Sequence, residues 1–493
     1  MNPKPLRLHA QTIMQQAALA IIISIIGLMI GWLAAFPGLY RLLIAITLFA
    51  CLLAVALRKP VMALMLVIAL LPFTGLIRRL LIPIAGWTSF DPLLLVAPVL
   101  VLLLGAHWFM KRWILDREPI GADTRLFLCV LPFLLLSVVQ IINPLQGSLL
   151  VGVGGILYFI VPLFWMVLGR EYFNLTHMRI LYAMVYMIGV VAAIYGIIQT
   201  HVGFAPFEYM WVELGGYAAL WVGDSLRAFS VFTSAQEFSC FLSISFVIGW
   251  ACLLRARLIS KILCGLSLPV LGYAMFMVGS RTPVILTLLS ITVITLLRFR
   301  SYWAKLLVII VAIAFGFIGM RMLDSFAQSE NDFLVHQANG LINPLDEEHS
   351  TLTLHWGYFL QGIMKGFQVP IGHGLGSSTQ AASTLGGKGN NTEYDISDIM
   401  VSHGIIGGVL YLLIMITIFR LLFALPRHEP LHIALVGILL ATIGFWLIGE
   451  LTSVAAVLWV SIGYMDKVMK HHRWNALKRH LNKSYASQIG MNR

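Results

Sequence analysis

Apolar runs of about 18–25 residues recur along almost the whole chain, each long enough to cross a bilayer core of roughly 30 Å. This repetition limits the possible folds more than any other feature. A water-soluble protein has no interior large enough to hide so many runs, and 59% of the 493 residues are hydrophobic against 11% charged. Mean hydropathy is +0.90. The expected fold class is all-α, a polytopic transmembrane helical bundle of about 12–14 spans with one large loop containing short helices. By hydropathy the spans fall near 11–36, 38–57, 60–77, 91–110, 125–143, 148–168, 179–200, 236–254, 260–279, 282–299, 304–321, 402–424, 430–447 and 450–466. The first is too long for a cleaved leader and lacks a small-residue cleavage site, so it reads as a retained anchor.

Charge sets the orientation. With a cytoplasmic N-terminus, 25 of the 33 Lys and Arg fall inside and 8 outside, the asymmetry of the positive-inside rule. Acidic residues sort the other way, 15 of 21 outside. The expected organisation is N-terminal helices over 1–323, a large periplasmic loop over 324–401, C-terminal helices over 402–466 and a basic cytoplasmic tail over 467–493. The net charge of +12 collects in inner turns and in that tail. It fits contact with anionic lipid heads and not a nucleic-acid surface. The cysteines (Cys51, Cys129, Cys240, Cys252, Cys264) all lie in or beside spans, with no CxxC or Cys/His spacing. Neither a disulfide nor a structural zinc is expected.

Three outer segments stand out. The stretch 77–91 (IRRLLIPIAGWTSFD) is half apolar and reads as interfacial or re-entrant, with Arg78 and Arg79 either lining a headgroup entry or marking the interface. The second, 201–235, is rich in aromatics and Gly and carries Arg227 before the polar pair Gln236-Glu237. Arg227 could pair with Asp224 or serve an anionic ligand. Arg281, in VGSRTPVILTLL, falls at the outer boundary of a span. There a guanidinium can snorkel to lipid phosphate, or form an anion site with the planar fork suited to phosphate.

The third, 324–401, has helical spacing over 350–367, which Ser350 or Thr351 could cap. His355 on that helix is a structural residue or a proton acceptor for a hydroxyl. Lys365 and His373 are weaker candidates of the same kind. The turn IGHGLGSS (Gly372, His373, Gly374, Gly376) lacks the Lys-Ser/Thr ending of a P-loop. Its glycines permit tight turning, with phosphate contact as a second reading. Glu393, Asp395 and Asp398 cluster where the next span begins, as acids favoured by a helix N-terminus or as a base or sugar-binding group. No carboxylate metal pattern occurs, so neither metal nor cofactor is expected.

These stretches together resemble the O-antigen ligase and polymerase superfamily. RAFSVFTSAQEF is similar to its Arg-Ala-x-Gly-x-Phe region, and VGSRTPVILTLL to its Ser-Arg motif opening a span. The large loop has a Trp-containing helix followed by PIGHGLG, and TEYDISDIMVSHGIIGG leads into the next span. The resemblance covers about residues 220 to 425. Members often carry Arg where this chain has His355, and ligases often have His-Asn where it has Glu393-Tyr394-Asp395. The acidic version looks more like the exopolysaccharide or O-antigen repeat-unit polymerases. The resemblance implies a membrane glycosyltransferase of exopolysaccharide or lipopolysaccharide biosynthesis in the bacterial inner membrane. It would join repeat units carried on undecaprenyl pyrophosphate at the periplasmic face. Arg227, Arg281, Arg78 and Arg79 become candidates for pyrophosphate, and His355, Glu393 and Asp395 for catalysis. A chain-length regulator, a flippase and membrane lipids are candidate partners. The alternatives are a ligase moving finished glycan to lipid A–core or protein, and a glycan transporter. A transporter commonly shows inverted repeats, which are not evident here.

The charge split makes a direct prediction. In intact cells an impermeant thiol reagent should label Ser350→Cys and leave Ser484→Cys unlabelled; the reverse pattern would invert the topology.

Overall fold

The computed structural model describes residues 31, 36–119, 124–216, 220–222, 225–255, 257–329, 332–345, 352–390, 392–425, 429–447 and 451–470. Nearly all of the expected first span, most of the basic tail, Asp224 and the proposed caps Ser350 and Thr351 lie outside these residues. The chain is a helical multi-pass membrane bundle. Among the described residues ten helices are long and apolar enough to cross a membrane, with Arg125–Gln140 and Pro430–Ala441 as shorter apolar helices. Numbering the α-helices of more than four residues gives α1 Tyr40–Arg58, α2 Pro60–Leu70, α3 Thr74–Leu80, α4 Val96–Phe109, α5 Arg125–Gln140, α6 Leu149–Tyr172, α7 Leu175–Val202 and α8 Pro206–Gly215. There follow α9 Ala235–Arg255, α10 Leu258–Val278, α11 Arg281–Arg298, α12 Tyr302–Phe326, α13 Asp332–Ile342, α14 Leu352–Gln368, α15 Gln380–Thr384, α16 Tyr394–Ala424 and α17 Pro430–Ala441. A last helix, α18, covers 452–470. The β structure among the described residues is one antiparallel pair, Trp221–Val222 with Ser225–Leu226.

Local chemistry starts these helices where the sequence places polar residues. Thr124 and Asn174 accept from Phe127 N (3.3 Å) and His177 N (2.9 Å) at the heads of α5 and α7. Proline opens α2, α8 and α17, where its missing N–H costs nothing. The core runs through the middle of the bundle, with Trp446, Trp459, Phe133 and Phe159 among its large buried side chains. By contrast, α12 has no buried residue along its length, although it is long enough to span.

Polar contacts separate the two ends of the bundle. At one end Trp108 donates to Glu171 (3.0 Å), Arg170 pairs with Asp466 (3.6 Å), and Arg179 with Glu429 (2.8 Å). At the other, Arg41 and Arg78 both pair with the buried Asp91, Arg78 at 3.3 Å. The stretch 77–91 is therefore tied down at the end that bears the large loop. Asp91 also accepts from Leu93 N (3.0 Å), starting the turn that leads into α4.

The large loop packs against the bundle. Helix α14 lies along α16 through glycines: a Cβ on Gly362 would meet Ser397 Cβ at 2.8 Å, and one on Gly366 would meet Met400 O at 2.6 Å. Helix α16 is broken at Gly404 (φ 67°, ψ −167°), where a Cβ would sit 2.0 Å from Pro370 O. Beside the break, the carbonyls of Val401 and Ser402 accept from the amides of His373 (2.8 Å) and Gly374 (3.1 Å). The glycine turn thus repairs an interrupted helix ladder inside the bundle, as lipid surroundings demand.

A second irregularity follows α17. The expected span 430–447 stays helical only to Ala441, and the chain turns at Gly444 (φ 86°). Asp395 holds that turn. Its carboxylate accepts from Trp446 N (2.7 Å), Leu447 N (2.8 Å) and Tyr411 Oη (2.7 Å), and its own amide donates to Gly444 O (3.0 Å). Glu237 does similar work at the head of α9, accepting from Ser453 N (3.0 Å) and Ser453 Oγ (2.6 Å) at the start of α18.

Removing Asp395 strands three buried donors, each at a cost of about 1–3 kcal/mol. Asp395→Ala should therefore lower both the membrane level of the protein and its unfolding temperature in detergent. Glu393→Gln, two residues away and part of a part-exposed pair, should lower both far less.

Candidate functional site

The loop 227–234 and the head of α11 meet at the loop-bearing end. Arg227 follows the strand Ser225–Leu226 and is half-buried. Its Nε donates to Val278 O (2.9 Å) and its Nη2 to Ser280 Oγ (2.6 Å), on the turn between α10 and α11. Arg281 is the first residue of α11, directly after that turn. Its Nη2 donates to His336 O (3.0 Å) of α13. A Cβ on Gly340 would lie 2.0 Å from the Arg281 guanidinium nitrogens, so glycine is needed for this seat. The same turn packs on α13 through Gly279, whose Cβ would meet Gln337 Nε2 at 2.0 Å. Two arginines well apart in the sequence are thus brought to one turn. Burial, and then the neighbouring charge of Arg281, push the Arg227 guanidinium down to about 10, which still leaves it cationic near neutral pH.

The large loop joins this place through α16. Tyr394, at the head of α16, comes close to Thr282, the residue after Arg281. Beside Tyr394, Glu393 accepts from His355 Nδ1 on α14. Phe359, one turn along α14, stacks edge-on against Tyr394 at 6.2 Å between centroids. The His355–Glu393 pair is part-exposed and raises the His355 pKa, chiefly through the hydrogen bond to Glu393, with burial opposing. With Nδ1–H given to the carboxylate, Nε2 keeps the lone pair that a proton acceptor needs.

The chain matches no protein-family model and no curated protein.

Several candidates from the sequence occupy different positions. Arg78 and Arg79, read as lining a headgroup entry or marking the interface, are both buried. Arg78 pairs with Asp91 and lies 4.8 Å from the Trp211 ring centroid. Arg79 donates to Phe232 O (2.5 Å) and Ser230 O (2.5 Å) and lies over Phe229. Asp395 is spent on the 444–447 turn, so its carboxylate serves the fold. The phosphate reading of the glycine turn is corrected in the same way. The amides of His373, Gly374 and Leu375 donate to backbone carbonyls, and that of Gly376 to Gln146 Oε1 (3.3 Å), leaving no amide cradle. Lys365 donates to Asn390 Oδ1 (2.9 Å) and Thr392 to Asp398, both contacts within the loop. Among the described residues no group of three or more His, Cys, Asp or Glu is placed to hold a metal ion.

Tyr394, Thr282 and His403 lie in stretches noted in the sequence but are not singled out there. The approach of Tyr394 to Thr282 joins residues far apart in the chain, which no local pattern foretells. His403, buried between Phe133 (4.9 Å) and Phe159 (5.0 Å), bonds to Ser137 Oγ (2.9 Å) and Ser402 Oγ (2.7 Å). Its position in the stretch TEYDISDIMVSHGIIGG does not foretell these partners.

The raised His355 pKa fixes a pH dependence. The pairing with Glu393 stabilises the fold fully below the unfolded value near 6.5 and fades as pH rises through the folded value. Proton acceptance runs the opposite way, since it needs neutral imidazole. A His355-dependent rate should therefore rise with pH through a midpoint above 6.5, and Glu393→Gln should move that midpoint down. An unmoved midpoint in Glu393→Gln would detach the pair from the titration.

Proposed function

We propose that this protein is a polymerase of lipid-linked oligosaccharides, acting at the periplasmic face of the bacterial inner membrane with both termini cytoplasmic. The observation that carries the reading is the meeting of Arg227, Arg281 and the His355–Glu393 pair at one end of a membrane bundle. Arg227 donates to the turn that ends in Arg281, and Tyr394, beside Glu393, comes close to Thr282 at the end of that turn. A reaction whose leaving group is a lipid pyrophosphate needs these two elements, cationic donors for the departing charge and an acceptor for a hydroxyl proton.

In this reading the acceptor hydroxyl oxygen of one lipid-linked unit attacks the anomeric carbon of a growing glycan. The bond from that carbon to the pyrophosphate oxygen breaks, and the pyrophosphate leaves with the bonding electrons on its lipid. The hydroxyl proton passes to His355 Nε2, while Glu393 holds Nδ1–H and steadies the imidazolium that forms. Arg227 and Arg281 stabilise the negative charge that grows on the leaving group, where electrostatic help lowers the barrier. The orientation is supported by the 25-to-8 split of basic residues and by the gathering of these groups at the acidic end.

Arg281→Ala should abolish polymer while the protein accumulates normally. Arg281→Lys should also be impaired, because an ammonium lacks the planar fork. Arg227→Ala should be similar or milder, and loss of the His355 base should slow turnover by about 10²–10⁴-fold. Polymer and membrane-protein level are measured in the same cells. Full polymer in Arg281→Ala cells at normal protein level would remove Arg281 from the mechanism. In cells lacking the protein, carriers bearing single repeats are expected, whereas full-length unattached polymer would indicate a ligase.

A further inference from the structure

Arg79 is fully buried, yet its guanidinium is committed to a short stretch of irregular backbone. Nη1 donates to Phe232 O and Nη2 to Ser230 O, both at 2.5 Å, and the group lies 4.7 Å from the Phe229 ring centroid. The same stretch is gripped from two more sides. Gln199 Oε1 accepts from the amides of Phe229 (3.2 Å) and Ser230 (2.7 Å). Gln199 is in turn set by Glu208, which accepts from its Nε2 (2.6 Å). The amide of Leu76 donates to Val231 O (3.0 Å), and a Cβ on Gly75 would meet Phe232 C at 2.6 Å. Ser230 is held at φ 50°, a left-handed conformation that a serine adopts only under such constraint. Arg227 lies three residues before Ser230, on the same loop.

From this geometry we infer that Arg79 is a positioning residue for Arg227: it clamps the 229–232 backbone so that Arg227 is aimed at the Val278–Ser280 turn. The inference rests on the reading of Arg227 as an anion-binding group. It moves Arg79 from ligand contact to support of the residue that makes the contact. A guanidinium suits the task because its nitrogens diverge to reach two carbonyls while its flat face covers an aromatic ring. Lysine could reach one carbonyl at a time.

The test uses the full chain in nanodiscs and two independent readouts. Amide hydrogen exchange over 227–234 reports the clamp, and binding of inorganic pyrophosphate reports the anion site. Arg79→Met should speed exchange in this segment by about tenfold or more, with the exchange of α9 and α11 unchanged. It should weaken pyrophosphate binding by about tenfold, as Arg227→Ala does, and Arg79→Met/Arg227→Ala should lose no more than Arg227→Ala alone. Arg79→Lys keeps charge and bulk and serves if Arg79→Met does not accumulate; it should lie between wild type and Arg79→Met in both readouts. Unchanged exchange in the Arg79 variants would overturn the proposal. So would a double variant whose loss is the product of the two single losses, since Arg79 would then contact the anion itself. A wild-type protein that binds no pyrophosphate would remove the anion reading, while the exchange readout would still decide the clamp.

Discussion

A polypeptide surrounded by lipid has no water to complete its hydrogen bonds, so wherever a helix stops inside the bundle its backbone must find partners in the protein. The chain breaks its helices in three places that matter: the loop 229–233, the glycine turn at 372–376 and the turn at 444–447. Each is completed from elements remote in sequence. Arg79 and Gln199 serve the first, Gln140, Gln146 and the kinked α16 the second, and Asp395 the third. Polar side chains that a hydropathy profile marks as costly are therefore what allow irregular backbone inside the bundle.

The functional groups follow from those repairs. Arg227 is held by a loop that cannot wander, because its neighbours are bonded on three sides. Arg281 opens a helix whose preceding turn is packed under α13. Glu393 stands two residues before Asp395, which ties the head of α16 to the far turn. The cationic pair and the imidazole–carboxylate pair are each set by support from outside the site, which is how rigid geometry is obtained from loop residues.

Much of the bundle was legible in the sequence because its dominant signal, uninterrupted apolar length, is local. The helix over 352–368 and the long helix beginning at Tyr394 were likewise visible in spacing and composition. The candidate site was legible in part. Arg227 and Arg281 could be singled out as cations at the outer ends of spans, and His355 and Glu393 as polar residues near the same level. Their pairings could not be, because a hydrogen bond between residues 38 positions apart leaves no periodic trace. Arg78, Arg79 and Asp395 mark the limit of such reading. A buried charge that binds a ligand and one that satisfies backbone look alike in one dimension, and only the location of the carbonyls and amides separates them.

The grip of Asp395 on Trp446 and Leu447 also has a consequence for biogenesis. Helix α16 leaves the ribosome some fifty residues before the amides it must capture (Asp395 and Trp446 are 51 apart). Until that later stretch is made and inserted, the carboxylate is a buried charge without those two donors, and the head of α16 lacks its anchor. The nascent protein can thus thread most of its helices into the bilayer while the Glu393 end is still loose. The groups proposed to move a proton reach their final order only once the stretch through Leu447 has been made.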